Sequence, residues 1–456
     1  RQQRGSSTVA PVDDLEEESR VFGVVLLEAV ETDLIDQKDF RQGVELELLL
    51  KGAIGPTGQK CAEHVGGGGV SAAIAFRATD GRVGLVEPTC PHRGANLFFG
   101  RNEDCAIRCV YHGWKFDLEG NAIEMPNVPP DANYHGEMRI KAYPTREFAE
   151  MVWAWMGPTP SSPLELPPLP SLEVGLVSPE HRFVSKKLQQ CNWAQSIEGA
   201  LDTAHFSFLH MPAPKVASTS NPNANADQKR LQWMRDDPMP YFSFVDHDAG
   251  FVAGASRHAD GNDLYWRISQ FLTPNHSLAP NALPGENYQG QTWVPISDTE
   301  CWIYTYAWNP VRELTKAERE KLASGHGVIG ETGPDFIPLS NRNNDYRINR
   351  DDQKHKTFTG VNGVSEQDAM IQDSQGFIAD RTLEHLTPTD AAVVRFRRVV
   401  LKGARDLAGG VLPKVATNAK AYCVRSGSTI APADLTFANV MLQRFDNPIG
   451  QVQSIS

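Results

Sequence analysis

Between residues 70 and 156 the apolar residues come in short runs, and the runs are rich in β-branched or aromatic side chains. Turn-forming pairs such as Asp80-Gly81 and Glu119-Gly120 separate the runs. Runs of this length and spacing predict strands at residues 70–76, 83–86, 107–111 and 151–156. This part of the chain is therefore predicted to be a small antiparallel β domain.

After this region the apolar residues follow longer patterns, some with the period of a helix and others with the period of a strand. They predict helices at residues 192–210 and 389–407, and strands at residues 265–272 and 301–308. The second helix has an apolar stripe along one face, and Gly409-Gly410 ends it. The second part of the chain is thus predicted to combine an antiparallel sheet with helices, which makes the fold class of the whole chain α+β.

A proline-rich stretch separates the two patterns. Residues 157–170 contain six prolines, which is typical of a linker. We therefore predict an all-β domain over residues 1–160, including an N-terminal segment, and an α+β domain over residues 161–456. Residues 1–72 contain two apolar stretches, at 24–30 and 44–50, and a run of four glycines, and they predict no defined fold.

Composition and charge narrow the class of protein. Of the 456 residues, 40% are hydrophobic and 22% are charged, as in ordinary globular proteins. The formal net charge of −12 argues against a nucleic-acid-binding surface. No apolar run approaches the roughly 20 residues of a membrane-spanning helix, so none is predicted. Seven cysteines do not suggest a disulfide scaffold, which favours a reducing, cytoplasmic location.

Two short motifs bring cysteine and histidine together. Cys90 and His92 form C-x-H, and Cys109 and His112 form C-x-x-H after sixteen intervening residues. A Rieske-type [2Fe–2S] cluster is held by two thiolates on one iron and two imidazoles on the other. One cysteine and one histidine from each of two loops would supply that set of ligands. The motifs therefore predict a Rieske cluster on these four residues.

Zinc is the alternative metal for two cysteines and two histidines. Common zinc motifs, however, pair cysteine with cysteine and histidine with histidine, whereas both motifs here are mixed. Gly94 and Gly113 closely follow the motifs and would allow tight loops around a cluster. These features favour the Rieske cluster. A cluster alone implies electron transfer, and the long chain that follows it indicates a second site.

Asp202, His205 and His210 form that second constellation, with the spacing D-x-x-H-x-x-x-x-H. Two histidines and a later carboxylate make up the facial triad of non-haem Fe(II) oxygenases, which leaves coordination positions open. His205 and His210 are five residues apart and can share a metal only if the helix ends or distorts between them. The alternative for each histidine is a residue packed in the core beside its phenylalanine neighbours.

Taken together, the motifs resemble the large subunits of Rieske non-haem iron aromatic-ring-hydroxylating oxygenases, and most of all the phthalate dioxygenase group. The resemblance covers about residues 72–410 and lies in segments 90–95, 109–116, 192–199, 265–267, 344–346, 380–386 and 397–398. It implies that the N-terminal all-β domain is a Rieske [2Fe–2S] domain and that residues 161–456 form a catalytic domain with a mononuclear iron.

The resemblance also implies a third iron ligand, an aspartate near the start of a C-terminal helical segment. Asp368, within residues 365–372, is the matching residue, and Asp373 is a second candidate. A structural alternative exists, because Ser365 followed three residues later by Asp368 also looks like a helix capping box. The predicted mononuclear site thus consists of His205, His210 and Asp368.

Asp202 has a different role by resemblance. In the family such an aspartate bridges a Rieske histidine of one subunit and an iron-ligand histidine of the next, here His112 and His205. A carboxylate that accepts hydrogen bonds from both imidazoles would orient them and shorten the electron path. The resemblance therefore implies a homotrimer or a stacked hexamer. The alternative for Asp202 is an acid on the surface of a helix.

Arginines in the second domain are candidates for binding an acidic substrate, because a guanidinium offers a bidentate fork to a carboxylate. Arg257 and Arg267 lie in the region where the family has its substrate cavity, and Arg230 lies in the preceding variable stretch. Taken singly, each of the three is also explained as a structural or surface cation. We predict that at least one of them binds the substrate.

The predicted function is that of a terminal oxygenase that uses O2 to dihydroxylate an aromatic carboxylic acid of the phthalate type, with a cis-dihydrodiol as product. Electrons from NADH are expected through a separate flavin and iron–sulfur reductase, since no dinucleotide-binding glycine motif follows a strand here. They would pass from the cluster through Asp202 to the mononuclear Fe(II). O-demethylation of an aryl ether, chlorobenzoate-type oxidation and a Rieske electron carrier without mononuclear iron stay open as alternatives.

Overall fold

The structure is a computed structural model, and it describes residues 24–28, 64–67, 70–129, 132, 134, 136–155, 166–213, 226–416 and 418–445. For the strands at 24–28 and 64–67 and for residues 70–72, only the backbone is described. Most of residues 1–72 lie outside these ranges, as does most of the proline-rich stretch 157–170. The predicted domain boundary at residue 160 therefore lies outside the described residues and stays a prediction.

The described residues of the N-terminal part form three small antiparallel sheets. Short strands joined by tight turns form them, as the alternation of apolar runs and turn pairs predicts. The first sheet contains Val24–Glu28, Thr145–Phe148 and Met151–Trp155, the second His64–Gly67, Val70–Arg77 and Val83–Val86, and the third Arg101–Glu103, Ala106–Arg108, Lys115–Phe116 and Ala122–Glu124.

One predicted strand is wrong over half of its length. Residues 107–111 were expected to be extended throughout, but the strand ends at Arg108. Cys109 begins a tight loop instead, because its backbone N–H donates to Trp114 O at 2.7 Å rather than to a neighbouring strand. The motif that carries chemistry thus interrupts the β pattern that surrounds it.

A single antiparallel sheet of eight strands, the central sheet, dominates the C-terminal part. The predicted strands at 265–272 and 301–308 both belong to it and are confirmed. In spatial order its strands are Arg182–Gln189, Glu300–Trp308, Tyr288–Ser297, His276–Leu278, Asp263–Leu272, Gly250–His258 and Tyr241–His247, and Gly427–Pro432 also pairs with Asp263–Leu272.

Helices surround the central sheet and complete the α+β fold. In the part of the chain that the structure describes, the α-helices are Glu173–Leu176, Trp193–Leu201, Ala226–Asp236, Lys316–Ala323, Arg350–His355, Val364–Ser374, Ala391–Ala408 and Phe437–Arg444. Short 3-10 turns lie at Leu97–Phe99, Pro179–His181, His205–Ser207, Arg342–Arg347, Arg381–Leu383, Pro388–Asp390, Lys414–Ala416 and Ala419–Tyr422.

The helices Trp193–Leu201 and Ala391–Ala408 pack on one face of the central sheet and hold the site region in place. Trp193 and Phe396 meet edge to face at 6.1 Å between ring centroids, and Phe396 meets Phe271 of the sheet in the same way at 5.0 Å. The helix predicted at 389–407 is therefore confirmed as Ala391–Ala408, with its apolar stripe on the sheet. Among the described residues, no helix is both long and apolar enough to cross a bilayer.

The last strand of the N-terminal part belongs to the core of the C-terminal part. Trp153 is almost fully buried and packs in one apolar cluster with Leu272, Tyr306 and Tyr422 of the C-terminal part. Its ring stacks on His276 at 6.0 Å between centroids, and its indole N–H donates to Phe148 O at 3.0 Å. An apolar seam centred on Trp153 therefore joins the two parts of the molecule.

Candidate metal centres and their cavities

Two loops of the N-terminal part are built in the same way. In the first, the Cys90 N–H donates to Ala95 O at 2.8 Å and the Gly94 N–H donates to Cys90 O at 2.9 Å. The second loop repeats both bonds, from Cys109 to Trp114 O at 2.7 Å and from Gly113 to Cys109 O at 2.9 Å. Each loop therefore presents its cysteine and its histidine from a matched turn.

The glycines make these turns possible. Gly94 has a φ of 72° and Gly113 a φ of 79°, in the left-handed region that a side chain disfavours. The same two glycines were predicted from the sequence to allow tight loops, and the structure confirms it. Both loops turn back sharply enough to place their motifs next to each other.

The four predicted cluster ligands lie together at the tips of these loops. Cys90 and Cys109 are buried against the apolar core of the domain, and the His92 and His112 rings are 4.4 Å apart between centroids. Nδ1 of each histidine is buried and has no hydrogen-bond partner among the described residues. Two buried sulfurs and two unpartnered imidazole nitrogens are the donor set that a [2Fe–2S] cluster of the Rieske type requires, so these residues fit the group.

Burial has an electrostatic consequence at this site. It raises the pKa of the Cys90 thiol to about 11, with the neighbouring Cys109 adding to the effect, although the backbone N–H groups of His92 and Arg93 oppose it. A thiolate in such a position needs a positive neighbour, which iron would supply. Trp114, which the sequence did not single out, stacks on His92 at 4.8 Å and is fixed by donating its indole N–H to Asn127 Oδ1 at 2.7 Å.

The second constellation forms because a helix ends early. Residues 192–210 were predicted to be helical throughout, but the helix Trp193–Leu201 stops and Asp202 is extended, with φ −75° and ψ 110°. The Asp202 Oδ1 accepts the Ala204 N–H at 2.7 Å, a local turn that favours leaving the helix. A 3-10 turn at His205–Ser207 follows. This break satisfies the condition under which His205 and His210 can share a metal.

Three donor atoms converge where the chain turns. Nε2 of His205 lies 3.0 Å from Nε2 of His210, and Asp368 Oδ1 lies 3.1 Å from His210 Nε2 and 3.6 Å from His205 Nε2. Donors at right angles around a divalent ion, with bonds of about 2.1 Å, lie about 3.0 Å apart. His205, His210 and Asp368 thus form a group that could hold a metal ion from one side.

The other ring nitrogens show that the converging atoms are lone pairs. His205 Nδ1 faces Asp202 Oδ2 at 3.4 Å, and His210 Nδ1 faces Gln367 Oε1 at 2.6 Å. Since both partners accept, each Nδ1 carries its hydrogen, and each Nε2 of the neutral rings presents a lone pair. Two such nitrogens and a carboxylate oxygen at about 3 Å repel one another unless a cation lies between them. The donor set therefore fits a divalent ion such as Fe(II).

The charges of the site are coupled. Burial raises the pKa of Asp202, but the hydrogen bond from His205 and the N–H of Ala204 outweigh it, so that the pKa is lowered overall. Burial likewise opposes the charged form of His205, yet the hydrogen bond with Asp202 and the charges of Asp202 and Asp368 raise its pKa. Burial raises the pKa of Asp368, but the adjacent His210 and His205 and the more distant Lys187 lower it overall. Both carboxylates are therefore held ionised beside the histidines.

Asp368 is available to the site because it does not cap its helix. The helix Val364–Ser374 begins after Gly363 without a side-chain cap, so the capping-box alternative is wrong. The Ser365 hydroxyl accepts the Lys187 ammonium at 2.6 Å instead. Asp373, the second candidate ligand, lies on the same helix but pairs elsewhere, since it accepts hydrogen bonds from Tyr346 and Gln189.

A large cavity of about 620 Å³ opens on the His210 side of the triad. Phe206 and Leu231 give part of its lining an apolar character, and Tyr265 and Arg267 add polar groups. Arg312, Glu318 and Lys321 also line it. A volume of this size falls within the roughly 300–1,000 Å³ of small-molecule sites. We refer to it as the large cavity.

Arg267 is the candidate arginine that the structure brings closest to this chemistry. Its side chain is buried, its Nε donates to Thr203 Oγ1 at 2.9 Å, and its guanidinium lies 3.9 Å from the Phe206 ring centroid. Arg267 Nη2 and the Tyr265 hydroxyl are both buried, and neither has a hydrogen-bond partner among the described residues. Burial lowers the pKa of Arg267, which Tyr265 partly offsets. Tyr265 was not singled out as a site residue from the sequence.

The other two candidate arginines form contacts with other parts of the protein, although Nη1 of Arg257 has no partner among the described residues. Arg230 lines the large cavity, but it forms ion pairs with Asp227 and Glu286. Arg257 does not line the cavity and donates to two backbone carbonyls, those of Thr203 at 2.8 Å and Asp237 at 3.1 Å. Burial, with Arg267 nearby, lowers the pKa of Arg257 to about 10. These contacts favour a structural role for Arg257.

A second, smaller cavity of about 260 Å³ also adjoins the triad. Asp202, His205 and Asp368 line it, together with the charged groups Arg381 and Glu384. Nε and Nη2 of Arg381 are buried and have no partner among the described residues. We call it the small cavity. Of the three residues that could hold a metal, His210 thus lines the large cavity, and His205 and Asp368 line the small one.

Comparisons with known proteins place both parts of the chain in known families. A profile described as "LigXa C-terminal domain like" matches residues 154–434, and one described as "Rieske [2Fe-2S] domain" matches residues 57–144. The first match covers more than half of the chain. The second supports a [2Fe–2S] cluster rather than zinc in the N-terminal part.

Similar whole proteins are oxygenase subunits. The 3-chlorobenzoate-3,4-dioxygenase oxygenase subunit of Comamonas testosteroni is 35% identical over 392 residues, which is 82% of this chain and 87% of that protein. The phthalate 4,5-dioxygenase oxygenase subunit of Pseudomonas putida is 36% identical over 336 residues, 72% of this chain and 74% of that protein. Among solved structures, "Pseudomonas putida CBB5 NdmA QL mutant with theobromine" has a TM-score of 0.50 at 12% identity, covers 93% of this chain and 100% of that one, and shares its fold.

Proposed function

The chain belongs to the family of Rieske oxygenase subunits with a LigXa-type C-terminal domain, and on this basis we propose that it is the terminal component that oxidises an aromatic carboxylic acid with O2. The observation that carries the proposal is the convergence of His205, His210 and Asp368 beside a large, partly apolar cavity. We propose phthalate-type dihydroxylation to a cis-dihydrodiol as the reaction. The two relatives named above, which act on phthalate and 3-chlorobenzoate, support a benzoate-like acid as substrate.

When bound, the ferrous ion supplies O2 binding and activation, and the [2Fe–2S] cluster supplies electrons one at a time. The protein's own contribution is geometric. His205, His210 and Asp368 bind from one side, so that the side toward the large cavity is left for the ring and O2. Phe206 and Leu231 exclude water from that side. NADH would deliver its electrons through a separate flavin and iron–sulfur reductase.

Asp202 would connect the two centres. It faces His205 Nδ1 with one oxygen and lines the small cavity, where its side chain is 26% exposed. Apolar side chains are exposed near this cavity, namely Ile371, Leu383 and Leu386, and others are exposed beside His112 at the cluster loops, namely Val110 and Tyr111. We propose that the cluster loops of a second copy dock here, in a homotrimer or a stacked hexamer, so that His112 of that copy donates to Asp202.

Replacing Asp202 with asparagine tests this connection. Asp202→Asn keeps the size of the side chain but removes the negative charge that His205 and a docked imidazole would share. We expect both metal sites to stay filled while turnover falls by about 10–100-fold. When O2 is admitted to the reduced, substrate-bound protein, the cluster should reoxidise correspondingly slowly.

The matched control is Asp373→Asn, because Asp373 is a buried aspartate of the same domain that lies away from the triad. It should change stability and leave the reoxidation rate of the cluster close to normal. Normal turnover of Asp202→Asn with both metals bound would show that the electron path does not need this carboxylate.

Arg267 would bind the carboxylate of the substrate. Arg267 and Tyr265 both line the large cavity, and Arg267 Nη2 and the Tyr265 hydroxyl are buried donors behind that lining, from which a carboxylate would accept if the side chains turn toward it. Arg267→Gln should raise the dissociation constant of an aromatic acid by about 10–100-fold, since a charge-assisted hydrogen bond contributes roughly 1.5–3 kcal/mol. Binding of the corresponding neutral amide should change little.

Arg257→Gln is the control for this experiment. It removes an equally buried guanidinium from the neighbouring strand, but one that bonds backbone carbonyls outside the cavity. It should lower stability and leave acid binding unchanged. Equal losses for the acid and the amide in Arg267→Gln would indicate a structural role for Arg267 as well.

The proposed function is tested by turnover with a panel of aromatic acids, a generic reductase and NADH, with products identified by mass. Gain of two oxygen and two hydrogen atoms indicates dihydroxylation, whereas loss of a methyl group from a methoxylated acid indicates O-demethylation. About three irons per chain are expected, against about two for an electron carrier with a cluster alone. Two irons and no product from any acid would overturn the proposal.

A further inference from the structure

Gln367 contacts one of the proposed metal ligands and was not singled out from the sequence. Its side chain is buried, with 6% of the residue exposed. Its Oε1 lies 2.6 Å from Nδ1 of His210, and its Nε2 donates to the Val361 carbonyl oxygen at 2.8 Å. The amide thus spans the distance between a ligand histidine and a buried backbone carbonyl.

The Val361 contact settles which way the amide points. A carbonyl oxygen can only accept, so the NH₂ end of Gln367 must face Val361 and the oxygen must face His210. His210 Nδ1 therefore carries a hydrogen, and in the neutral ring Nε2 is left with its lone pair toward Asp368. The orientation of one amide thus selects the tautomer of the ligand.

The helix Val364–Ser374 makes this arrangement compact. Gln367 and Asp368 are adjacent on it, and the Gln367 backbone N–H donates to Gly363 O at 3.1 Å in the first turn. One helix turn therefore supplies both a metal ligand and the group that holds another ligand. Any shift of this helix moves Asp368 and the partner of His210 together.

We propose that Gln367 is a positioning residue that fixes the tautomer and ring plane of His210 for metal binding. The inference rests on the proposed iron site, because it concerns how one ligand of that site is held. It also distinguishes the two histidines. Asp202 holds His205 with a negative charge, whereas Gln367 holds His210 with a neutral amide that does not titrate. His210 is thereby oriented without a further charge in the site.

The test uses Co(II) as a probe, in protein depleted of mononuclear iron but with its cluster intact and oxidised. Gln367→Met keeps the length of the side chain and removes both hydrogen bonds. Its dissociation constant for Co(II) should rise by about 10–100-fold, the usual effect of losing such a partner. The Co(II) electron paramagnetic resonance spectrum should change as well, because His210 is free to rotate.

Gln367→Glu is the conservative variant, since one carboxylate oxygen still accepts from Nδ1 of His210 although the other has no hydrogen to donate to the Val361 carbonyl. It should lose clearly less Co(II) affinity than Gln367→Met. The matched control is Gln372→Met, which makes the same change in a second buried glutamine of the same helix, one that accepts from Ser196 Oγ at 2.9 Å. It should lower stability without altering Co(II) affinity or the spectrum.

The possible results separate the inference from the proposed function. Unchanged Co(II) affinity and spectrum in Gln367→Met would overturn the inference, as would an equal loss in Gln367→Met and Gln367→Glu. If Gln367→Met fails to fold, as judged by circular dichroism and the visible absorption of the cluster, Gln367→Glu decides alone, and loss of its Co(II) signal counts against the inference. If the unmodified protein takes up no more Co(II) than His205→Ala, the proposed metal site itself fails.

Discussion

Replacing His205 with alanine is expected to lower the iron content from about three to about two per chain and to abolish turnover. The reason is the small number of ligands. His205, His210 and Asp368 are the group of donors that converge here among the described residues, and two of them alone cannot hold the ion. The visible spectrum of the cluster should persist, since its four ligands lie on the separate loops of the N-terminal part. Metal analysis and visible absorption check both expectations on one sample.

A matched control is available elsewhere in the C-terminal domain. His247 bonds Gln270 at 3.1 Å and lies outside the metal-binding group, so His247→Ala should retain about three irons. Three irons in His205→Ala would contradict the proposed ligand set. Loss of the cluster along with the mononuclear iron would point to misfolding, and His205→Gln, which fills the space, would then decide whether the imidazole itself is needed.

The second large effect is expected from Glu198, one helical turn before Asp202. Its carboxylate accepts from Arg397 through two bonds, of 2.7 and 3.0 Å, and forms an ion pair with Arg381 at 2.8 Å. Glu384 pairs with the same two arginines, so that two acids balance two bases in a nearly closed space. Glu198→Gln leaves one buried positive charge without compensation. We expect the free energy of unfolding to fall by about 3 kcal/mol.

Urea unfolding of the catalytic part, followed by tryptophan fluorescence, measures this loss. Glu384→Gln is the control, because Glu384 belongs to the same network but its side chain is 24% exposed, against 10% for Glu198. Water can replace part of its contribution, so about 1 kcal/mol is expected there. Losses below 1 kcal/mol for both variants would show that the network sets geometry rather than stability.

The cluster motif could be predicted from the sequence because its ligands are local. Two short loops carry all four residues, and the glycines that shape the loops stand beside them. The mononuclear group required more. The spacing of His205 and His210 predicts a shared metal only if the helix ends between Leu201 and His210. The helix ends there because Asp202 accepts a hydrogen bond from the Ala204 N–H, and the helical periodicity of the sequence does not reveal this bond. Asp368 was predicted as a ligand from the family resemblance, because its local sequence fits a helix capping box equally well.

The residues that were missed depend on distant contacts. Gln367 acquires its role only when its helix meets His210, which is 157 positions away in sequence, and no local pattern marks a glutamine for such a contact. Tyr265 resembles any aromatic residue of a strand until the cavity is seen beside Arg267. The strand predicted at 107–111 failed for the opposite reason, because a loop that carries ligands interrupted a sequence with high strand propensity.

The seam at Trp153 has a consequence for the exchange of parts between related enzymes. Its indole is buried in the core of the other domain and stacks on His276, so the first domain does not end at a polar joint. In a chimera joined in the proline-rich stretch, Trp153 would pack against the C-terminal domain of a different protein. A difference in the size or shape of that contact surface leaves either a cavity or a steric clash. The stability of such chimeras should therefore depend on how well the C-terminal domain accommodates Trp153, and less on the length of the proline-rich stretch. Recombination breakpoints placed before Met151 should be tolerated better than those placed after Trp155.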